Sequence, residues 1–203
     1  MSDASMSFAD FIRLVLEALD AAAVKYLIGG AVAVWAWGEP RTTRDLDLVV
    51  DLPFESMAAL SQELEQRDML VPVDIMIDLM IEDRADLPIN AIHMFSGYKA
   101  ELFLFKPGDA FRASTLQRRQ LVDLGPPLGE VYVHAPEDLI LNKLRYFRIS
   151  QQPKHVRDIA GIVLNLDQDL DYAYIDRWAE QLDLVDTWQE IQERITEIRN
   201  NRP

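Results

Sequence analysis

The chain has 203 residues, 49% of them hydrophobic, and a formal net charge of −14. That is enough for one large or two small folded domains with a real core, and so acidic a surface argues against broad non-specific binding to nucleic acid. With no cysteine, disulfides, thiolate nucleophiles, iron–sulfur clusters and cysteine-ligated zinc are excluded, and the three histidines (His93, His134, His155) have no zinc spacing.

Apolar residues recur at helical spacing from Ser7 to Ala22, which predicts an amphipathic first helix. Acids and Arg13 interrupt this stretch, so it reads as neither signal peptide nor membrane span, and a cytoplasmic chain is the expectation. Lys25 to Ile28 reads as a short buried strand, Gly29-Gly30 as a turn, and Ala31 to Trp37 as a helix ended by Gly38 and Pro40. Asp45 to Val50 is a second strand, stopped by Pro53. Helices are expected over Phe54 to Arg67 and Val73 to Glu82, then paired strands Ile89 to Phe95 and Lys99 to Phe105 around Ser96-Gly97. Asp109 to Gln117 reads as a helix. Strands at Arg119 to Leu124 and Glu130 to Val133 bracket the turn signal from Gly125 to Gly129.

Beyond Ala135 the character changes. Pro136 to Phe147, Pro153 to Leu164, Tyr172 to Gln181 and Val185 to Ile198 all read as helices, the first two with proline at the first helical position. The expectation is a mixed α/β part over residues 1–134 and a helical part over 135–203 packed against it. Within the second part, Leu139 to Arg157 holds Lys143, Arg145, Arg148, Lys154 and Arg157 and no acid. This local reversal of charge is either a solvated helix face or a basic site.

Several residues carry chemistry. Asp45 and Asp47 lie two apart on a strand and so point to one face, about 7 Å from each other. Their repulsion needs compensation, for which a divalent ion is the simplest candidate; the alternative is a hydrated outer face. Asp51 shares their parity but falls at the end of the strand and reads as a turn residue. Glu101 interrupts an otherwise apolar strand and needs a partner, either an ion or Lys99 two residues away. Gly29-Gly30 could cradle a phosphate at a helix N-terminus or simply make a tight turn. Lys143 projects into the apolar face defined by Leu139, Ile140, Leu144 and Phe147, so it either snorkels past the core or reaches into a cleft. Asp158 falls off the apolar stripe of its helix; helical arithmetic puts it at the surface, within reach of Lys154.

Together these residues resemble the nucleotidyltransferase superfamily, the DNA polymerase beta-like fold: apolar strand, Gly29-Gly30, Asp45-Leu46-Asp47, then a third acid, Glu101. Arg41-Thr42-Thr43-Arg44-Asp45-Leu46-Asp47 resembles the Arg-x-Thr-x-Asp-x-Asp of small bacterial branches. Pro136 to Leu144 and Lys154 to Ile159 are similar to the Pro-Glu-Asp-Leu-Ile-x-x-Lys-Leu and Lys-x-x-Arg-Asp-Leu elements of AbiEii-type members. Gly30 stands where many members have serine, and Glu101 where aspartate is usual.

The resemblance implies an α+β fold, a mixed sheet with helices on one face followed by a helical C-terminal part. It implies Mg²⁺ or Mn²⁺ on Asp45, Asp47 and Glu101. Gly29, Gly30, Arg44 and Lys143 would contact a nucleoside triphosphate, and Asp158 would fix Lys143 or the base. The activity implied is transfer of a nucleoside monophosphate to a hydroxyl on an RNA end, a protein or a small molecule, and AbiEii-type members include toxins paired with an antitoxin protein. The alternative, favoured by the Glu101 departure, is a nucleotide-binding or protein-interaction module of the same fold without turnover. A purely structural domain would leave the strand acids unexplained.

Overall fold

The computed structural model describes residues 6–82 and 86–200. Six strands form one mixed sheet: β1 (Lys25–Ile28), β2 (Asp45–Asp51), β3 (Ile89–Ile92), β4 (Lys99–Leu104), β5 (Gln120–Asp123) and β6 (Glu130–Val133), in the spatial order β3-β4-β2-β1-β6-β5. β2 runs parallel to β4 and antiparallel to β1, and β1 runs parallel to β6. The antiparallel strands β3 and β5 close the two edges.

The first helix, α1 (Phe8–Ala21), starts on a reciprocal cap in which the Ser7 hydroxyl accepts from Asp10 N while the Asp10 carboxylate accepts from the Ser7 backbone. Its buried stripe of Phe11, Ile12, Val15, Leu16 and Leu19 packs on α3 (Phe54–Glu65) and β1. Each such side chain, fully buried, contributes about 1.5–3 kcal/mol. The second helix, α2 (Gly30–Trp37), has no polar face because it lies inside the molecule, against β2 and the C-terminal helices. α4 (Val73–Ile81) packs on α3 and β3, and α5 (Ala110–Arg118) leads into β5.

Strand β2 decides where chemistry can happen. Leu46, Leu48 and Val50 are fully buried on one side, while Asp45 and Asp47 take the alternate side. As the neighbour of both β1 and β4, the strand has its backbone paired on both edges, so its register with each is fixed.

The helical part begins at α6 (Pro136–Ser150), continues through α7 (Pro153–Leu166) and a 3₁₀ turn at Asp167–Asp169, and ends with α8 (Tyr172–Gln181) and α9 (Val185–Asn200). α6 is buried along most of its length, between α2 and the helices α7 and α8. Its first turn carries Glu137 and Asp138, where the helix dipole favours negative charge. Among the described residues no helix is long and apolar enough to cross a membrane.

Three expectations shift. Asp51, read as a turn residue, is the last residue of β2 and is paired with Lys25 of β1. The strand expected over Ile89 to Phe95 ends at Ile92; beyond it only His93 makes an isolated bridge, to Met69, and Phe95 is 80% exposed. Asp158, placed at the surface by helical arithmetic, is buried, because α7 packs on both α6 and α2 and so has more than one covered face.

Candidate active site

The turn after β1 is shaped by a carboxylate. Gly29 N donates to Asp47 O at 2.8 Å, drawing the turn onto β2. Gly30 then opens α2 at φ +56°, and a Cβ built there would lie 1.7 Å from Asp47 Oδ2. The Asp47 carboxylate therefore rests directly over the glycine backbone, and no side chain fits beneath it. A Cβ at Gly29 would approach the His134 ring to 3.3 Å, so this position too is tight.

The parallel register of β2 and β4 sets Asp47 beside Glu101 and Asp45 beside Lys99. Glu101, which the sequence left between an ion and Lys99, has Lys99 in the structure: Nζ lies 2.6 Å from Glu101 Oε1 and 3.6 Å from Asp45 Oδ1. Asp45 is the outermost of the three, its side chain 56% exposed. Among the described residues, no cation lies within salt-bridge distance of Asp47. Burial pushes its carboxyl up to about 6, the charges on Glu101 and Asp45 add to the effect, and Lys143 opposes it.

Across from this face stands α6. Lys143 is almost wholly buried, and its Nζ lies 2.7 Å from Asp158 Oδ2 on α7. Arg41, from the loop before β2, reaches the same carboxylate with Nε at 3.0 Å from Oδ1. Burial alone would raise Asp158, but the hydrogen bonds and charges of Arg41 and Lys143 outweigh it and hold the carboxyl low. Desolvation lowers Lys143, with Asp158 acting against it. Asp158 thus anchors two cations, and Lys154 is not its partner.

Between the carboxylate face and α6 runs a cleft of about 280 Å³, bordered by Gly29, Gly30, Asp47, Glu101, Arg41 and Lys143. Arg44 does not border it; its guanidinium lies 5.5 Å from the Tyr98 ring centroid. Other cleft residues had no sequence signal. His134 is buried, paired through Nε2 with Asn142 at 3.3 Å, and desolvation pushes its ring down to about 3, so it is neutral. Tyr146 and His155 stack with ring centroids 6.0 Å apart and form an aromatic wall. Arg112 enters from α5, held by Leu104 O and Asp86. Arg41 could have been noticed: it sits three residues before Arg44 in the same motif, and only the tertiary fold separates their positions.

The carboxylates suit a hard divalent cation: oxygen donors only, on two adjacent strands, with Asp47 lacking a positive neighbour at close range. Among the described residues, no three acids or histidines are yet gathered closely enough to hold a metal on their own, and Lys99 spans the Asp45–Glu101 edge instead.

Order of strands, the glycine turn and the carboxylate face together define a nucleotidyltransferase-like fold. Solved structures carry the same fold. The antibiotic-resistance factor ANT(2'')-Ia in solution aligns with a TM-score of 0.60 at 15% identity, over 90% of this chain and 96% of that one. ANT(2'')-Ia in a crystal with adenylyl-2''-tobramycin aligns at 0.56 and 16% identity, over 92% and 97%. An antigenic nucleotidyltransferase-like protein from Paracoccidioides brasiliensis aligns at 0.51 and 17% identity, over 93% and 94%. No protein-family profile and no curated protein matches the chain.

Proposed function

We propose that this chain is a metal-dependent nucleotidyltransferase, moving a nucleoside monophosphate from a nucleoside triphosphate to a hydroxyl acceptor. The single observation that carries this reading is Asp47: a carboxylate seated on Gly30, beside Glu101, facing a buried lysine across a cleft. A structural acid would be neutralised by its own neighbours. This one is left charged against two others, an arrangement that costs stability and suits a bound cation.

Asp45, Asp47 and Glu101 would hold Mg²⁺ or Mn²⁺, which when bound supplies charge neutralisation and a lowered pKa for the attacking hydroxyl. The chain's own residues do the rest. Gly29 and Gly30 offer backbone at the N-terminus of α2, where the partial positive charge of a helix end favours phosphate. Lys143, locked by Asp158, presents a fixed positive charge toward the same cleft, so no reorganisation is needed as negative charge develops on a transferring phosphoryl group.

ANT(2'')-Ia is an antibiotic-resistance factor, crystallised with adenylyl-2''-tobramycin, so this fold accommodates a small-molecule acceptor. The motif likeness to AbiEii-type members adds RNA as an acceptor class and a toxin with an antitoxin partner as a biological setting, and other branches of the superfamily add protein hydroxyls. Incubation with each α-labelled nucleoside triphosphate, Mg²⁺ or Mn²⁺, and pools of RNA, protein and aminoglycoside tests all three. Label in one pool, lost with Asp47→Asn, is the expected result.

The Lys99–Glu101 ion pair favours a second reading, a nucleotide-binding module without turnover. It predicts metal-dependent thermal stabilisation by a triphosphate, about 2.7 kcal/mol at 100 times the dissociation constant, with no label transferred to any pool.

A further inference from the structure

We propose that the acceptor of this site is a polypeptide, whose apolar residues seat on an exposed hydrophobic shelf at the β3 edge of the sheet while its hydroxyl reaches the carboxylate face. This rests on the reading above that the face transfers a nucleotidyl group.

The shelf is built by register. Lys99 of β4 pairs with Asp45 on one side and with Ile92 of β3 on the other, and Asn90 pairs with Glu101. The antiparallel bridge of Met69 with His93 carries the arrangement one strand further and sets Leu70 opposite Ile92. Met69 and His93 are buried, so by strand alternation Leu70 and Ile92 lie on the other side, the side of Asp45 and Lys99. Met94 N donates to Asp68 O at 3.0 Å, and Phe95 follows with its ring centroid 5.9 Å from that of His93. Leu70, Ile92, Met94 and Phe95 are each at least half exposed. Single exposed apolar side chains are ordinary; four brought together beside a candidate site mark a binding surface.

Distance and charge choose the occupant. From β2 to β3 is two strand spacings, about 10 Å, and the Leu70 segment adds a third, making about 14 Å. A compact acceptor in the cleft does not cover that span, whereas about three to four extended residues do. RNA spans it too, but needs free cations for its phosphates. Of the cations near the shelf, Lys99 is bound to Glu101, Arg67 to Glu63, and Arg44 lies against the Tyr98 ring, in a chain of net charge −14. What remains is aliphatic, thioether and phenyl surface, which suits apolar side chains. In the transfer, the serine, threonine or tyrosine oxygen of the acceptor bonds to the α-phosphorus. The bond from that phosphorus to the bridging oxygen breaks, its electron pair leaves on pyrophosphate, and the hydroxyl proton passes to solvent.

The test is label transfer by the full chain from α-labelled nucleoside triphosphates, with Mg²⁺ or Mn²⁺, to synthetic peptides bearing one serine, threonine or tyrosine. One set carries Leu-Phe about three to four residues from the hydroxyl, on either side; the other has the same composition with Leu-Phe next to it. The spaced set is expected to be labelled at least about tenfold better in kcat/KM, the factor that seating one such side chain supplies. Leu70→Asp combined with Phe95→Asp should raise KM for the spaced set at least about tenfold and leave kcat and the thermal stabilisation by triphosphate unchanged, as expected when only a binding contact is lost. Ile198→Asp, at an exposed apolar position on α9, should follow the wild type. Absence of label on every peptide, labelling indifferent to spacing or to the shelf variants, or label on RNA or aminoglycoside in their place overturns the polypeptide acceptor. So does a dimer in sedimentation velocity that Leu70→Asp dissolves. Label in the RNA or aminoglycoside pool, lost with Asp47→Asn, leaves the functional reading standing; no label in any pool overturns both. Should the double variant not fold, Leu70→Gln and Phe95→Gln, tested singly, carry the same comparison.

Discussion

Acids in two regions of this molecule are treated in opposite ways. At the junction of α5, α6 and α8, Glu137 and Asp138 are buried and fully partnered. Arg118 Nη2 reaches Glu137 Oε2 at 2.8 Å and its Nε reaches Asp138 Oδ2 at 3.3 Å, while Tyr174 OH donates to Asp138 Oδ1 at 2.6 Å. Glu137 also accepts from Asp171 N at 3.1 Å, which ties the start of α8 to α6. Across the cleft, Asp47 lies beside Glu101 with no cation of its own within ion-pair distance among the described residues. Asp138 is surrounded by donors and holds helices together. Asp47 is surrounded by carboxylates and holds a charge ready for something else. Both acids are raised by burial; what separates them is that Asp138 has hydrogen-bond donors against it and Asp47 has carboxylates.

That contrast can be broken by mutation. The largest expected effect is on chemistry: under the proposed function, in which Asp47 would hold the metal, Asp47→Asn should lower nucleotidyl transfer by at least about a thousand-fold while leaving urea unfolding no worse than wild type. The mirror experiment is Asp138→Ala. It takes one partner from Tyr174, whose hydroxyl keeps Ser114, and one from Arg118, which keeps Glu137, and should cost about 3 kcal/mol in urea unfolding, somewhat less than a wholly buried pair because Arg118 is a third exposed. If the two variants behave alike in stability, the distinction between the regions fails.

Gly30→Ala should sit between them. Adopting φ +56° costs a non-glycine residue about 1–2 kcal/mol, and the new methyl must push Asp47 aside, so transfer and stability fall together. The smallest effect is in pH. Asp47 is raised from 3.8 to about 6 by burial first and by Glu101 next. A carboxyl raised on folding destabilises the folded state above that value, and the cost is relieved as pH falls from about 6 toward 4. Compared with Asp47→Asn, the wild type should therefore gain about 1 kcal/mol of relative stability over that window, the figure kept small because the carboxyl is partly exposed. Equal pH profiles for the two proteins would mean that Asp47 is already neutralised.

The parts of the site legible in sequence were those set by short-range geometry. Two residues on a strand share a face whatever the rest of the chain does, so Asp45 and Asp47 could be paired at once, and a lysine amid leucines on α6 announces itself. The double glycine was visible, but its reason was not: only the turn of β1 onto β2 brings Asp47 over Gly30. Asp158 misled helical arithmetic because α7 is covered on more than one side, and its partners Arg41 and Lys143 come from segments 117 and 15 residues away. Arg112 and the Tyr146–His155 wall were equally out of reach, since nothing local marks an arginine or a tyrosine as cleft-lining when the cleft is made by three elements.

The carboxylate perched on bare backbone has an evolutionary corollary. Positions 30 and 47 amount to one steric decision, because the aspartate at the second leaves no room for a side chain at the first. A descendant that shed the acid at 47 would be released to carry a substituent at 30, asparagine most easily, as the residue most at home in left-handed backbone after glycine. The two positions would then be expected to change together.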